Sequence, residues 1–134
     1  MDITQINLWA VLAAAVSSFL VGGLWYSPVL FGKAWMQAAG LSEAQLARAN
    51  QARTFGLSLL LCLLSASVFA VFLGPAPELG FAVGVGVLAG ACWVASSFAI
   101  NYLFEQRSMK LFAINGGYHT VQFALYGLIL GAWQ

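Results

Sequence analysis

The stretch NLWAVLAAAVSSFLVGGLWYSPVLFGK, residues 7–33, runs for about twenty residues without a charge before it reaches Trp25, Tyr26 and Pro28. An uncharged apolar run of this length is enough for an α-helix to cross a lipid bilayer. Proline lacks a backbone donor and disfavours helix in the residue before it, so the helix should end near Ser27. Trp and Tyr prefer the membrane–water interface. The stretch therefore predicts a membrane-spanning helix over residues 7–27.

Three further apolar runs follow, at about residues 54–73, 79–103 and 111–133. The chain has 134 residues, of which 62% are hydrophobic and 7% charged, and its mean hydropathy is +0.89. Soluble domains have about a quarter of their residues charged. These values predict an all-α membrane protein, with residues 1–134 forming a single domain of four transmembrane helices.

The basic residues indicate an orientation. All five lie in the first and third connections between the apolar runs, and cytoplasmic loops are the ones that collect Lys and Arg. We expect these connections to face the cytoplasm, and both termini and the Pro-rich turn at residues 74–77 to face outward. The basic residues are Lys33, Arg48, Arg53, Arg107 and Lys110.

The connection between the first two spans has helical and interfacial character. Aromatic and apolar residues surround Lys33, which is typical of a segment lying at the membrane surface. Ser42 with Gln45 three residues later forms a capping-box pattern. Since no Gly or Pro intervenes before Gly56, we expect a helix that starts near Ser42 and continues into the second span.

The fourth run carries a polar stripe, which we define as Asn115, Tyr118, His119, Gln122 and Tyr126. At about 100° per residue these side chains fall on one face of a helix. A polar face is costly in hydrocarbon unless it meets protein or water. The same helical period places Gly86, Gly90, Ser97 and Asn101 on one side of the third run, with Glu105 one turn beyond. We therefore expect the stripe to pack against the third helix.

Two interpretations of the stripe stay open. Interhelical hydrogen bonds are common in membranes, so the polar groups can serve only to hold helices together. His119 is the only histidine, and an ionisable group inside a span is a candidate proton or substrate site. The candidate ligand- or proton-binding residues are His119, Asn115, Gln122, Asn101, Glu105 and Tyr118.

Enzymatic and metal chemistry find little support. The sequence has no paired carboxylates, no Ser or Cys beside the histidine and no His/Glu metal spacing, so we expect no catalytic residues, no metal and no cofactor. Glu105 with His119 is the one conceivable acid–base couple, and Glu105 has an alternative partner in Arg107 or Lys110. Cys62 and Cys92 are expected to be small buried hydrophobes. A net charge of +1 argues against nucleic acid as a partner.

Glycines four residues apart predict close helix contacts, within or between subunits. The pairs Gly80/Gly84, Gly86/Gly90 and Gly127/Gly131 have this spacing. A small membrane protein with several such pairs is expected to form a homo-oligomer, which is usually symmetric.

Two motifs carry a family resemblance. LWYSPVLFGKAWM at residues 24–36, together with NYLFE (101–105), KLF (110–112) and NGGYH (115–119), resembles the bacterial membrane family catalogued as domain of unknown function 1761. The resemblance implies a small four-span protein of the bacterial cytoplasmic membrane and brings no activity, substrate or catalytic residues. The interface motif consists of Trp25, Tyr26, Pro28, Lys33 and Trp35.

Three functional hypotheses follow. The leading one is an oligomeric small-solute or ion transporter that uses the polar stripe between the third and fourth helices, with the lipid bilayer as its surroundings and an unknown small ligand. The alternative is a non-transporting scaffold or accessory subunit whose functional surface is the connection between residues 33 and 53. The third is a membrane enzyme resting on Glu105 and His119.

Overall fold

The computed structural model describes residues 3–133, and these residues form helices and connections without a β-strand. This confirms the all-α prediction. After a short 3₁₀ turn at Ile3–Gln5, the elements are α1 (Leu8–Trp25), α2 (Gly32–Ala39), α3 (Glu43–Arg48), α4 (Gln51–Leu73), α5 (Leu79–Leu88), a π-helical segment (Ala89–Ala95), α6 (Ser96–Phe104) and α7 (Met109–Ala132).

Three helices are long and apolar enough to cross a membrane: Leu8–Trp25, Gln51–Leu73 and the continuous rod Leu79–Phe104, which comprises α5, the π-helical segment and α6. The sequence predicted four such helices, so the prediction is corrected for the last one. The 24 residues of α7 provide sufficient length. Its polar stripe lowers the hydropathy, and on composition alone α7 is not a membrane span.

The core of the bundle is α7, because it packs against α1, α4, α5, the π-helical segment and α6. The inner face of α1 consists of small residues, including Ala10, Ala14 and Ser18, all of which are fully buried. Its outer face carries a row of four exposed leucines and one valine: Leu8, Leu12, Val16, Leu20 and Leu24. Small residues inside and large apolar residues outside are typical of helices that pack closely in lipid.

The connection between α1 and α4 contains two short helices. Gly40 ends α2 with a left-handed φ of 71°. Ser42 and Gln45 form the expected capping box at the start of α3. The prediction that this helix continues into the second span is wrong. The chain is extended at Ala49, and the Asn50 side chain accepts a hydrogen bond from the Arg53 N–H to start α4 anew.

The opposite end of the bundle contains the α4–α5 turn and both ends of the described chain. The Asn7 side-chain amide at the start of α1 donates to the carbonyl oxygen of Trp133 after α7, at 3.2 Å. Glu78 caps α5 by accepting from the N–H groups of Gly80 and Phe81 at 2.8 and 2.7 Å. These two bonds hold the pKa of the Glu78 carboxyl below its ordinary value. One end therefore carries the turn at residues 74–77, and the other carries the basic connections.

Glycine allows the backbones of α5 and α7 to touch. A Cβ on Gly86 would collide with the carbonyl of Phe123, and a Cβ on Gly127 would collide with the carbonyl of Ala82. A Cβ on Gly90 would lie 2.6 Å from the Cα of Thr120. The pairs Gly86/Gly90 and Gly127/Gly131 thus serve contacts within one chain. The expected packing of the third helix on the fourth through Gly86 and Gly90 is confirmed.

Gly86→Ala should lower the free energy of unfolding by about 1–3 kcal/mol, since the added methyl group has only backbone to displace. Gly84→Ala is the matched control. Nothing lies within 4 Å of a Cβ at Gly84, and alanine favours helix by about 1 kcal/mol over glycine. Unfolding of the purified protein in detergent measures both. Equal effects of the two substitutions would contradict the tight α5–α7 contact.

Candidate functional site

The polar stripe of α7 faces several helices. Tyr118, Gln122 and Tyr126 are buried, and their hydrogen bonds go to α1 and α4. The prediction that the stripe packs between the third and fourth helices is therefore wrong for these three residues. His119 and Asn115 do contact the third helix, through Phe98 and Tyr102 of α6.

The expectation that Ser97 and Asn101 share a face of the third helix with Gly86 and Gly90 is also wrong, and the π-helical segment is the reason. A π turn takes in about one residue more than an α turn, which rotates the following helix by about 100° relative to an uninterrupted α-helix. Gly86 precedes the segment, Gly90 is its second residue, and both face α7. Ser97 and Asn101 follow it and are exposed. A uniform helical period cannot represent this change of face.

The deepest part of the stripe is a closed hydrogen-bond network. The Gln122 amide donates to the Tyr126 hydroxyl at 2.8 Å and to the Cys62 sulfur at 3.6 Å. The Tyr126 hydroxyl donates to the Cys62 carbonyl at 3.3 Å and accepts from the Ser18 hydroxyl at 3.4 Å. The Tyr118 hydroxyl donates to the Ser18 carbonyl at 2.9 Å. We call Ser18, Cys62, Tyr118, Gln122 and Tyr126 the buried network.

Ser18 and Cys62 were not predicted to belong to the buried network. Both residues accept hydrogen bonds through their main-chain carbonyl groups. Every residue has such a group, so the residue type does not indicate this role. Ser18 did offer a signal, because it lies four residues after Ala14 and is the polar residue among the buried residues of α1. Cys62 is buried as expected. Cys92 is exposed, so the expectation of burial is wrong for it, and both cysteines are free.

His119 lies at the edge of the buried network and is half-buried. Its ring stacks on Phe98, with centroids 5.0 Å apart and planes 12° from parallel. Its Nδ1 lies 2.7 Å from the Gln122 side-chain oxygen. Because the Gln122 amide nitrogen donates to Tyr126, its oxygen is the acceptor here, and His119 Nδ1 carries the hydrogen. In the neutral ring, Nε2 then has a free lone pair.

Asn115 belongs to a second group, nearer the basic end. Its carbonyl oxygen accepts from the Tyr26 hydroxyl at 2.6 Å, and its amide donates to the Tyr102 hydroxyl at 2.7 Å. Trp25 donates its indole N–H to the Ile114 carbonyl at 3.0 Å. The Trp35 ring packs on Tyr26 at 5.2 Å. We call Trp25, Tyr26, Trp35, Tyr102 and Asn115 the aromatic–amide cluster. Residues 24–36 and 101–119, far apart in sequence, meet in it.

The remaining predicted site residues lie outside both groups. Glu105 is exposed and forms an ion pair with Arg107 at 3.4 Å. Its partner is therefore a basic residue of the same turn and not His119. Pro28 and Lys33 are exposed before and at the start of α2. Asn101 is exposed on an open groove that also includes Trp93, Val94, Ser97 and Phe98.

Each buried side-chain nitrogen and oxygen of the buried network has a hydrogen-bond partner. Among residues 3–133, no buried side-chain nitrogen or oxygen lacks a partner. Within the same range no three His, Cys, Asp or Glu side chains lie close enough to share a metal ion. The hydrogen bond of the His119 side chain within residues 3–133 is made by Nδ1. Because no fully buried side-chain nitrogen in this range lacks a partner, Nε2 is not fully buried. The chemistry available is therefore acceptance of a proton or hydrogen bond at Nε2, beside the groove that Phe98 lines.

Comparison with protein families gives one match. The family model described as protein of unknown function (DUF1761) matches residues 9–131. This range includes the whole of both sequence motifs and all members of the buried network and the aromatic–amide cluster. No curated protein and no solved structure matches the chain.

Tyr126→Phe should lower the free energy of unfolding by about 1–2 kcal/mol, because it removes a hydroxyl that joins α7 to α1 and α4. Ser67→Ala is the control: the Ser67 hydroxyl bonds only the Leu63 carbonyl of its own helix, and its loss should cost less than about 0.5 kcal/mol. Unfolding in detergent compares them. A Tyr126→Phe protein as stable as Ser67→Ala would show that the network does not hold the helices.

Proposed function

The chain belongs to the DUF1761 family of proteins of unknown function, and we propose that it is a four-helix integral membrane protein with a structural role, as a non-transporting scaffold or accessory subunit. Three apolar helices long enough to span a membrane support the membrane assignment. The buried network carries the structural assignment, since its side chains already bond one another and the main chain of α1 and α4.

The fourth crossing in this proposal is α7. It begins after the α6–α7 turn at the basic end and finishes beside Asn7 at the other end, so it runs the length of the bundle. Its polar side chains are covered by α1, α4 and the Leu79–Phe104 rod. A helix so enclosed needs little apolar surface of its own, because its neighbours meet the lipid.

The proposed orientation follows the positive-inside rule. Lys33, Arg48, Arg53, Arg107 and Lys110 all lie in or beside the connections at one end of the bundle, which we assign to the cytoplasm. Both termini and the turn at residues 74–77 then face the periplasm of a bacterial cytoplasmic membrane. The first connection, with α2 and α3, lies at the cytoplasmic interface and presents aromatic and basic residues to a partner.

Self-association is part of the proposal. Gly86, Gly90, Gly127 and Gly131 contact other helices of the same chain, whereas Gly80 and Gly84 of α5 are exposed. Ser97 and Asn101 are exposed further along the Leu79–Phe104 rod. Small and polar residues on a lipid-facing helix favour contact with another helix. A second copy of the chain is the proposed neighbour.

Transport of a small solute or ion is the second candidate, and His119 favours it. Its ring stacks on Phe98, which lines the groove formed with Trp93, Ser97 and Asn101. Catalysis by Glu105 and His119 is the weakest candidate, because Glu105 is engaged with Arg107 at the surface.

We expect single cysteines at opposite ends of the bundle to be labelled from opposite sides of the membrane. In a Cys62→Ser/Cys92→Ser background, Ala76→Cys should react with an impermeant maleimide in intact cells, and Arg48→Cys should react only after the membrane is opened. Both positions are exposed. Labelling of Arg48→Cys alone in intact cells would show that the orientation is the reverse of the proposed one. Labelling of both cysteines in intact cells would contradict the proposal that the bundle spans the membrane.

Proteoliposomes distinguish the two main candidates. For a structural protein, H⁺ and K⁺ fluxes down imposed gradients should equal those of protein-free liposomes, and His119→Ala should change neither. Circular dichroism before and after reconstitution checks that the unmodified protein and His119→Ala are both folded. A flux above the protein-free level that His119→Ala abolishes would replace the structural proposal with transport through His119.

A further inference from the structure

We propose that the basic end of the bundle carries a binding surface for anionic phospholipid, formed by residues 27–33 and 103–110. These two segments are the exit of α1 and the α6–α7 turn, and we call them together the basic rim. The proposal goes beyond the structural role and rests on the proposed membrane-spanning arrangement, which places the basic rim at headgroup depth.

Both segments of the basic rim lie at the end of the bundle where α7 begins. The guanidinium group of Arg107 donates to the carbonyl of Ala39 at the end of α2, at 3.4 Å. Tyr26, immediately before the first segment, is bonded to Asn115 of α7 at 2.6 Å. Since α2 also packs on α7, the aromatic–amide cluster holds both segments against the same end of the central helix.

Exposed apolar side chains form the first half of the surface. Val29 in the first segment is 80% exposed, and Phe104 and Met109 in the second are 88% and 68% exposed. Val29 follows α1, Phe104 is the last residue of the Leu79–Phe104 rod and Met109 is the first residue of α7. The proposed membrane arrangement places all three at the boundary between acyl chains and headgroups. Large apolar side chains at this depth insert among lipid acyl chains.

The charges form the second half of the surface. The basic rim contains Lys33, Arg107 and Lys110 against one carboxylate, Glu105, and all four are exposed. Glu105 is paired with Arg107. The excess is positive directly beside the inserted apolar side chains, which is the arrangement that an anionic lipid fits: its acyl chain meets the apolar residues and its phosphate meets the cations. A zwitterionic lipid offers the same acyl chains without net charge.

The experiment is a lipid titration of the purified protein in neutral detergent. Dioleoyl phosphatidylglycerol and dioleoyl phosphatidylcholine are added separately, and the melting temperature is followed at each concentration. We expect both lipids to raise it, with phosphatidylglycerol acting at lower concentration, and we expect the difference to shrink at high salt, where charges are screened.

Variants assign the preference to the basic rim. Arg107→Gln/Lys110→Gln should weaken the apparent affinity for phosphatidylglycerol by about thirtyfold, from about 1 kcal/mol per basic residue near an anionic surface, and leave phosphatidylcholine unchanged. Arg48→Gln, in exposed α3 outside the basic rim, should change neither. Phe104→Ser should weaken the apparent affinity for both lipids to the same extent.

The outcomes separate the inference from the proposed function. Equal stabilisation by the two lipids would overturn the anionic preference and leave a lipid-embedded protein intact. Stabilisation by neither lipid would overturn the membrane arrangement and the inference together. A preference retained in Arg107→Gln/Lys110→Gln and lost in Arg48→Gln would overturn the assignment to the basic rim.

Discussion

The need to satisfy the polar side chains of α7 away from water governs the arrangement of the whole bundle. A buried hydroxyl or amide without a partner costs several kilocalories per mole in an apolar medium, so α7 must lie where other helices supply donors and acceptors. That position is the centre. On one side, α1 and α4 provide Ser18 and Cys62. On the other side α5 provides glycines, and the contact between the two backbones excludes solvent without polar partners.

Much of this architecture could be predicted from residue patterns. The apolar runs placed the long helices within a few residues of their bounds, and the capping box placed α3. Gly86 and Gly90 identified the helix that touches α7. These predictions succeeded because each depends on residues close together in sequence, through hydrophobic period, capping or small side-chain size.

The remainder depends on information that residue types do not carry. The π-helical segment at Ala89–Ala95 has an ordinary apolar sequence, yet it turns Ser97 and Asn101 away from α7. Ser18 and Cys62 act largely through their carbonyl groups, which every residue has. The break at Ala49 did have a sequence signal in Asn50, since asparagine favours the helix N-cap.

The order of the helices along the chain has a consequence for biosynthesis. The ribosome makes α1 and α4 before α7, so the carbonyls of Ser18 and Cys62 and the phenol of Tyr26 already exist when α7 emerges. In the proposed membrane arrangement, the helix least suited to hydrocarbon would thus meet hydrogen-bonding partners that are already in place. Moved to the front of the chain, the same helix would have to wait in lipid with its amide, imidazole and phenol groups unpaired.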